Sequence, residues 1–159
     1  MKLILMRHAE AEPASAGRDS ERALTAEGQA MARRMGRLVL NTGWKLREIR
    51  HSPLLRTSQT ARCVSENFVP EPEMISEQRL APGSGPAEAT EMLSQADPND
   101  VLLWILHAPD IAGIAAYLTG ARASGYFFSP GTMLALMVPH AGPGNALQIW
   151  HLPPDYLPK

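Results

Sequence analysis

Two histidines in this chain stand where an apolar run gives out. Lys2-Leu3-Ile4-Leu5-Met6 is followed at once by Arg7-His8, and Val101-Leu102-Leu103-Trp104-Ile105-Leu106 by His107. A third segment, Ser52-Pro53-Leu54-Leu55-Arg56-Thr57-Ser58-Gln59-Thr60-Ala61, places Arg56 in what reads as the first turn of a helix. A guanidinium fork matches the paired oxygens of phosphate or carboxylate, and a helix N-terminus adds its own attraction for an anion. If the apolar runs are strands of one sheet, His8 and His107 can meet beyond its carboxyl edge, where open α/β sheets bind ligands. The pattern is that of a phosphate seat flanked by two imidazoles.

The rest of the chain supplies elements to position them. Lys2–Met6 and Val101–Leu106 read as buried strands, the second apolar throughout as in a parallel sheet. Leu24-Thr25-Ala26-Glu27-Gly28 opens a helix with Thr25 as its N-cap. Met31, Met35, Leu38 and Val39 recur along one face of that helix, away from Arg33, Arg34 and Arg37. A short strand is expected near Arg47–His51, a helix from Ser52-Pro53 to about Phe68, and a brief strand over Glu73–Ser76. A loop over 79–86, a helix over Ala87–Ala96 and a turn at Asp97–Asp100 come next. After Val101–Leu106, Pro109 is expected at the first position of a helix ending at Gly120, and Met133–Val138 pairs with Ala146–Leu152 as a hairpin. Strands alternating with helices predict a three-layer α/β/α sandwich, a mostly parallel sheet with helices on both faces, as a single domain over 1–159.

Composition narrows the function classes. With 45% hydrophobic and 19% charged residues the chain has the means to bury a core, and a net charge of −1 argues against a nucleic-acid or anionic-membrane binder. No apolar run reaches the ~18 residues of a membrane span, and charge returns too early near the N-terminus for a signal peptide, so a cytoplasmic location is expected. One cysteine, Cys63, excludes an intrachain disulfide framework and a multi-cysteine metal site. It is expected in the core, and it lacks a Cys-x5-Arg phosphatase loop because Val69 stands at the arginine position. Arginine outnumbers lysine twelve to three; anion capture would explain that, as would GC-rich coding. His8-Ala9-Glu10 finds no downstream partners to complete a metal site.

Leu5-Met6-Arg7-His8-Ala9-Glu10-Ala11 resembles the Arg-His-Gly signature of the histidine phosphatase superfamily, the phosphoglycerate-mutase-like fold. Ser52–Ala61 looks like its second signature and Leu106-His107-Ala108-Pro109 like its third, in the family's order. The short length and Arg22-Ala23-Leu24-Thr25 are most similar to the SixA-type phosphohistidine phosphatases. The resemblance implies a metal-independent, cofactor-free phosphatase in which His8 is the nucleophile and is transiently phosphorylated. Arg7, Arg56 and His107 would surround the phosphoryl oxygens, two arginines and a histidinium favouring a dianion. Arg22 reads equally as a phosphate contact or as a salt-bridging loop residue. His51 is expected at the pocket edge in a structural role, and His140 and His151 in none of the chemistry.

Two departures shape the substrate expectation. Ala9 stands where most of the superfamily has glycine. Ester-cleaving relatives place a glutamate soon after the third strand, yet Arg79-Leu80-Ala81-Pro82-Gly83 has no carboxylate; Glu77, Glu88, Glu10 and Asp110 are the available substitutes. An alkoxide leaving group, with a pKa of ~15, needs a proton, whereas imidazole, with a conjugate-acid pKa of ~6.5, leaves with less help. The expected substrate is phosphohistidine on a protein such as a histidine phosphotransfer domain. A small phosphomonoester and a non-catalytic phosphate-binding module are the alternatives. Phosphate or sulfate is expected to fit the site, and the short region before Val101 predicts a shallow, open one that Gly83–Pro86 could still fold over.

Overall fold

The computed structural model describes residues 1–14 and 18–158. Six strands form one sheet: β1 (Lys2–Arg7), β2 (Glu48–His51), β3 (Glu73–Ser76), β4 (Val101–Leu106), β5 (Met133–Met137) and β6 (Leu147–Leu152), in the order β3-β2-β4-β1-β5-β6. The first four in that order run parallel, while β5 and β6 are antiparallel, so the sheet is mixed and the expected hairpin forms. Four helices cover it: α1 (Ala26–Asn41), α2 (Leu55–Ser65), α3 (Pro86–Ser94) and α4 (Asp110–Thr119). The architecture is the phosphoglycerate-mutase-like α/β sandwich.

Alternation along β1 divides its side chains between two layers of core. Leu3 and Leu5 join Trp104 and Leu106 under Met92, Leu93, Ile111, Ile114 and Leu118 of α3 and α4. Ile4 and Met6 join Leu103 and Ile105 under Met35, Val39, Ala61 and Val64 of α1 and α2. Every side chain of β4 is buried, as a central parallel strand covered on both faces requires. Thr25 caps α1 by accepting from the Gly28 amide at 2.9 Å, and Gly120, at φ 75°, ends α4 in the left-handed conformation.

Most boundaries fall within two residues of expectation, and those around Ser52, Phe68 and Pro109 are the informative differences. The helix expected from Ser52 starts at Leu55, because the Ser52 amide extends the sheet by donating to the Ile105 carbonyl at 3.1 Å. It ends at Ser65, the next residues closing in turns that precede Pro70. Pro109 follows a cis peptide and occupies the N-cap of α4 rather than its first position.

The segment after His8 lies against the first turn of α1. The Glu10 carbonyl accepts from the Thr25 amide at 3.1 Å, and Ala11 bridges to Leu24. A Cβ on Gly28 would come within 2.0 Å of that Glu10 carbonyl oxygen. Glycine to alanine inside a helix ordinarily stabilises by about 0.5–1 kcal/mol. Here Gly28→Ala is expected to do the opposite, costing about 1–3 kcal/mol through forced backbone displacement. Urea unfolding checks the sign; an unchanged or raised midpoint would contradict this packing.

Candidate active site

Strand register brings the two histidines together. Arg7 pairs with Leu106 across the parallel β1–β4 ladder, so the next residues, His8 and His107, emerge side by side. Their ring centroids are 5.4 Å apart at 56°. His51 pairs with Ile105 one strand over, which sets Ser52 beside His107.

Each ring is fixed by one hydrogen bond. His8 Nδ1 lies 2.8 Å from the Ala9 carbonyl. A carbonyl can only accept, so Nδ1 carries the proton and Nε2 keeps its lone pair. His107 Nε2 lies 2.8 Å from Ser52 Oγ. Ser52 is wholly buried, and its oxygen receives the Leu54 amide at 3.5 Å. Its hydroxyl proton therefore goes to Nε2, the acceptor within reach, and His107 carries its own proton on Nδ1. That Nδ1 is buried with no partner.

The arginines show the same half-used state. Arg7 donates through Nη1 to the Phe128 carbonyl at 2.7 Å, while its buried Nε has no partner. Arg56 donates through Nη1 to the Asp19 carbonyl at 2.8 Å and through Nη2 to Asp19 Oδ2 at 3.1 Å, and its buried Nε is likewise unpaired. Both side chains are tethered at the tip, with Nε buried and unpaired. Buried donors without partners are uncommon in native proteins, and three of the seven unpaired buried side-chain atoms among the described residues belong to Arg7, Arg56 and His107. All three residues lie near enough to His8 to act on its proton affinity or to have theirs acted on by it.

Electrostatics keep both imidazoles neutral. Burial, opposed by the Ala9 carbonyl and reinforced by the Arg56, Arg7 and Arg22 guanidinium groups, pushes His8 down to about 4. Burial, then His8 and Arg56, push His107 down to about 3, with Asp19 acting the other way. In the ligand-free site burial thus favours a neutral ring at His107, where the sequence leads one to expect a histidinium facing a bound dianion. Burial also lowers the Arg7 guanidinium from its usual range.

The other residues singled out by sequence fall into place around this centre. Arg22 donates through Nε to the Glu12 carbonyl at 2.7 Å and through Nη1 to Asp19 Oδ1 at 3.1 Å, so Asp19 bridges Arg22 and Arg56. Ala9 is completely buried with its amide on Thr60 Oγ1 at 3.1 Å, which is how an alanine is held where relatives have glycine. His51 donates to the Ser52 carbonyl at 2.8 Å, a structural role. His140 is exposed, and His151 packs against Tyr126 and Phe128. Cys63 is buried, which pushes its thiol up.

Each of the four carboxylates proposed as acids accepts at least one hydrogen bond, and Glu77 is the most firmly held. Glu77 is clasped by Arg79 and Arg50, and the Arg79 hydrogen bond leads in holding it at about 2. Glu88 accepts from the Gly85 amide at 3.1 Å, Asp110 from the Gly83 amide at 2.8 Å, and Glu10 from the Thr25 hydroxyl at 3.4 Å. The Asp110 bond tethers the loop around Gly83 to the start of α4. Sequence reasoning missed Asp19, the Ser52 hydroxyl and the Phe128 carbonyl. Asp19 had one available signal, its place one helical turn before Arg22.

Residues 3–82 match the profile of the histidine phosphatase superfamily (branch 1), and the chain belongs to that superfamily. Among solved structures it is similar to the protein histidine phosphatase SixA complexed with tungstate, at 23% identity and TM-score 0.86, covering 98% of each chain. It is also similar to a phosphoserine phosphatase mutant from Entamoeba histolytica in complex with phosphoserine (15% identity, TM-score 0.70, 98% of each chain). Phosphoglycerate mutase from Plasmodium falciparum shares the fold at 22% identity and TM-score 0.68, over 96% of this chain and 93% of that one. No curated protein matches the chain. Among the described residues, no three His, Cys, Asp or Glu side chains cluster as metal ligands, and no helix is long and apolar enough to cross a membrane.

The neutral histidines are open to direct measurement. In a ¹⁵N NMR titration of the ligand-free protein, His8 is expected to gain its proton only near pH 4 and His107 near pH 3. Both stay neutral while an unfolded chain already binds protons below its ordinary value of ~6.5. Their contribution to stability is therefore complete above that value and falls as pH drops toward 4. A His8 midpoint near 6.5 would contradict the site.

Proposed function

We propose that this chain is a phosphatase that passes a phosphoryl group through His8, and that its substrate is phosphohistidine on a protein. The observation that carries the reading is the set of three unpaired buried donors, Arg7 Nε, Arg56 Nε and His107 Nδ1, beside a histidine whose Nε2 lone pair is free. Donors already aimed and already desolvated stabilise charge developing on the phosphoryl oxygens without reorganising, and one such donor is worth about 3–4 kcal/mol.

In this reading His8 Nε2 attacks phosphorus as the bond to the substrate's ring nitrogen breaks, and that bond's electron pair goes to the departing imidazole. His8 keeps its Nδ1 proton on the Ala9 carbonyl throughout. The phosphorylated ring is thus held in its protonated form, from which phosphate departs readily: water attacks phosphorus, the P–N pair returns to Nε2, and neutral His8 is restored. The water's proton passes to phosphate or solvent. The phosphoryl charge also offsets the burial that keeps the free ring neutral. No step calls on a metal.

Phosphohistidine is favoured over an ester because Arg79-Leu80-Ala81-Pro82-Gly83 has no carboxylate where ester-cleaving relatives place a glutamate, and the neighbouring Glu77 is held by Arg79 and Arg50. The shape shared with SixA over nearly all of both chains supports the same reading. We take residues 1–159 as one catalytic domain acting in the cytoplasm, consistent with its single unpaired, buried cysteine. The test is phosphate release from a histidine-phosphorylated protein with metal chelated throughout. His8→Ala is expected to lose at least about a thousandfold in rate, as nucleophile removal does elsewhere, and Arg56→Ala about a hundredfold or more. Release from an aryl phosphate alone would shift the substrate to small esters, and turnover of neither would leave a phosphate-binding module.

A further inference from the structure

Asp19 stands at the rim of the arginine pair. Its carboxylate spans Arg22 Nη1 and Arg56 Nη2, each at 3.1 Å, and its backbone carbonyl takes Arg56 Nη1 at 2.8 Å. The Arg56 side chain is only 6% exposed, whereas that of Asp19 is 59% exposed. The carboxylate therefore joins the buried Arg56 to the solvent-exposed surface. It is also near enough to bear on the proton affinity of His107.

The leaving group of phosphohistidine has a requirement that an ester does not share. Its ring departs as imidazolate, a very poor leaving group, unless the nitrogen remote from phosphorus carries a proton; with that proton it departs as neutral imidazole. On the enzyme side of the same exchange, the Ala9 carbonyl holds the equivalent proton on His8. The substrate side needs an acceptor of the same kind at the pocket mouth.

We propose that Asp19 is that acceptor: its carboxylate receives the remote ring N–H of the bound phosphohistidine and so selects phosphoramidate substrates with an imidazole leaving group. The proposal rests on the phosphohistidine reading above. The step balances. The protonated ring gives up its P–N bond to His8 Nε2, takes the bonding pair on the nitrogen that bore phosphorus, and leaves neutral with its remote proton still directed at Asp19. Arg22 leads in holding Asp19 below the usual carboxylate range, so it serves as a standing acceptor and does not shuttle the proton. Its charge is tolerable beside a phosphoryl group because Arg22 and Arg56 lie against it. Together with Arg7 they leave the pocket two positive charges, the complement of a phosphoryl dianion.

The experiment compares wild type and Asp19→Asn on phosphoimidazole and on p-nitrophenyl phosphate, whose nitrophenolate leaves without a proton. Inhibition by tungstate reports whether the anion seat stays intact. Expected is a fall in kcat/KM on phosphoimidazole about tenfold to a hundredfold larger than the fall on the aryl phosphate, the aryl phosphate and tungstate inhibition reporting the part owed to Arg22 and Arg56. A parallel fall on both substrates would mean that Asp19 only orients Arg22 and Arg56, and would overturn the proposal. So would an unchanged rate on phosphoimidazole. A wild-type enzyme that cleaves the aryl phosphate but neither phosphoimidazole nor a histidine-phosphorylated protein would sink the underlying substrate reading instead.

Discussion

Burying a hydrogen-bond donor without a partner costs about 1–3 kcal/mol, more for a charged group, and this site does so three times within one cluster. Such a state survives only if the surroundings hold each group in place. The Phe128 carbonyl fixes the tip of Arg7, Asp19 fixes that of Arg56, and the Ser52 hydroxyl fixes His107. What remains on each is one buried nitrogen without a partner. The desolvation already invested in the empty site is what lets these donors act strongly once a phosphoryl group arrives.

The fold makes that clustering possible with few long-range instructions. Parallel pairing of Arg7 with Leu106 sets His8 against His107, and the pairing of His51 with Ile105 brings Ser52 to His107. Two packed faces hold the register, because a one-residue slip would turn Leu3, Leu5 and Trp104 away from α3 and α4. On the other face, Thr60 of α2 ties the Ala9 amide, and Gly28 of α1 leaves room for the Glu10 carbonyl. The backbone just beyond the nucleophile is thereby clasped between two helices. Its Ala9 carbonyl points at His8 Nδ1 as a consequence.

Much of this was legible in the sequence, and the failures have physical causes. The apolar runs ending in Arg7-His8 and His107 identified the central strands and the site together, since strand ends are where an open sheet binds ligands. The start of α2 was misplaced because Ser52-Pro53 is a good local helix opening, while the tertiary ladder claims the Ser52 amide. The downward push on the His107 proton affinity was not legible because burial, its dominant cause, is not visible in residue spacing. Asp19 went unnoticed for a related reason: it sits in a polar loop with no periodicity, and its importance comes from arginines brought to it by folding. Arg22, left between two readings, is joined to the site through that same carboxylate.

The most direct test of the central claim is a crystal structure with orthovanadate, which takes up the five-coordinate geometry of phosphoryl transfer. The account predicts vanadium bonded to His8 Nε2, with its oxygens receiving Arg7 Nε, Arg56 Nε and His107 Nδ1, while the His8 Nδ1–Ala9 and His107 Nε2–Ser52 contacts persist. Vanadate seated elsewhere, or bound with those three donors still unpaired, would contradict it.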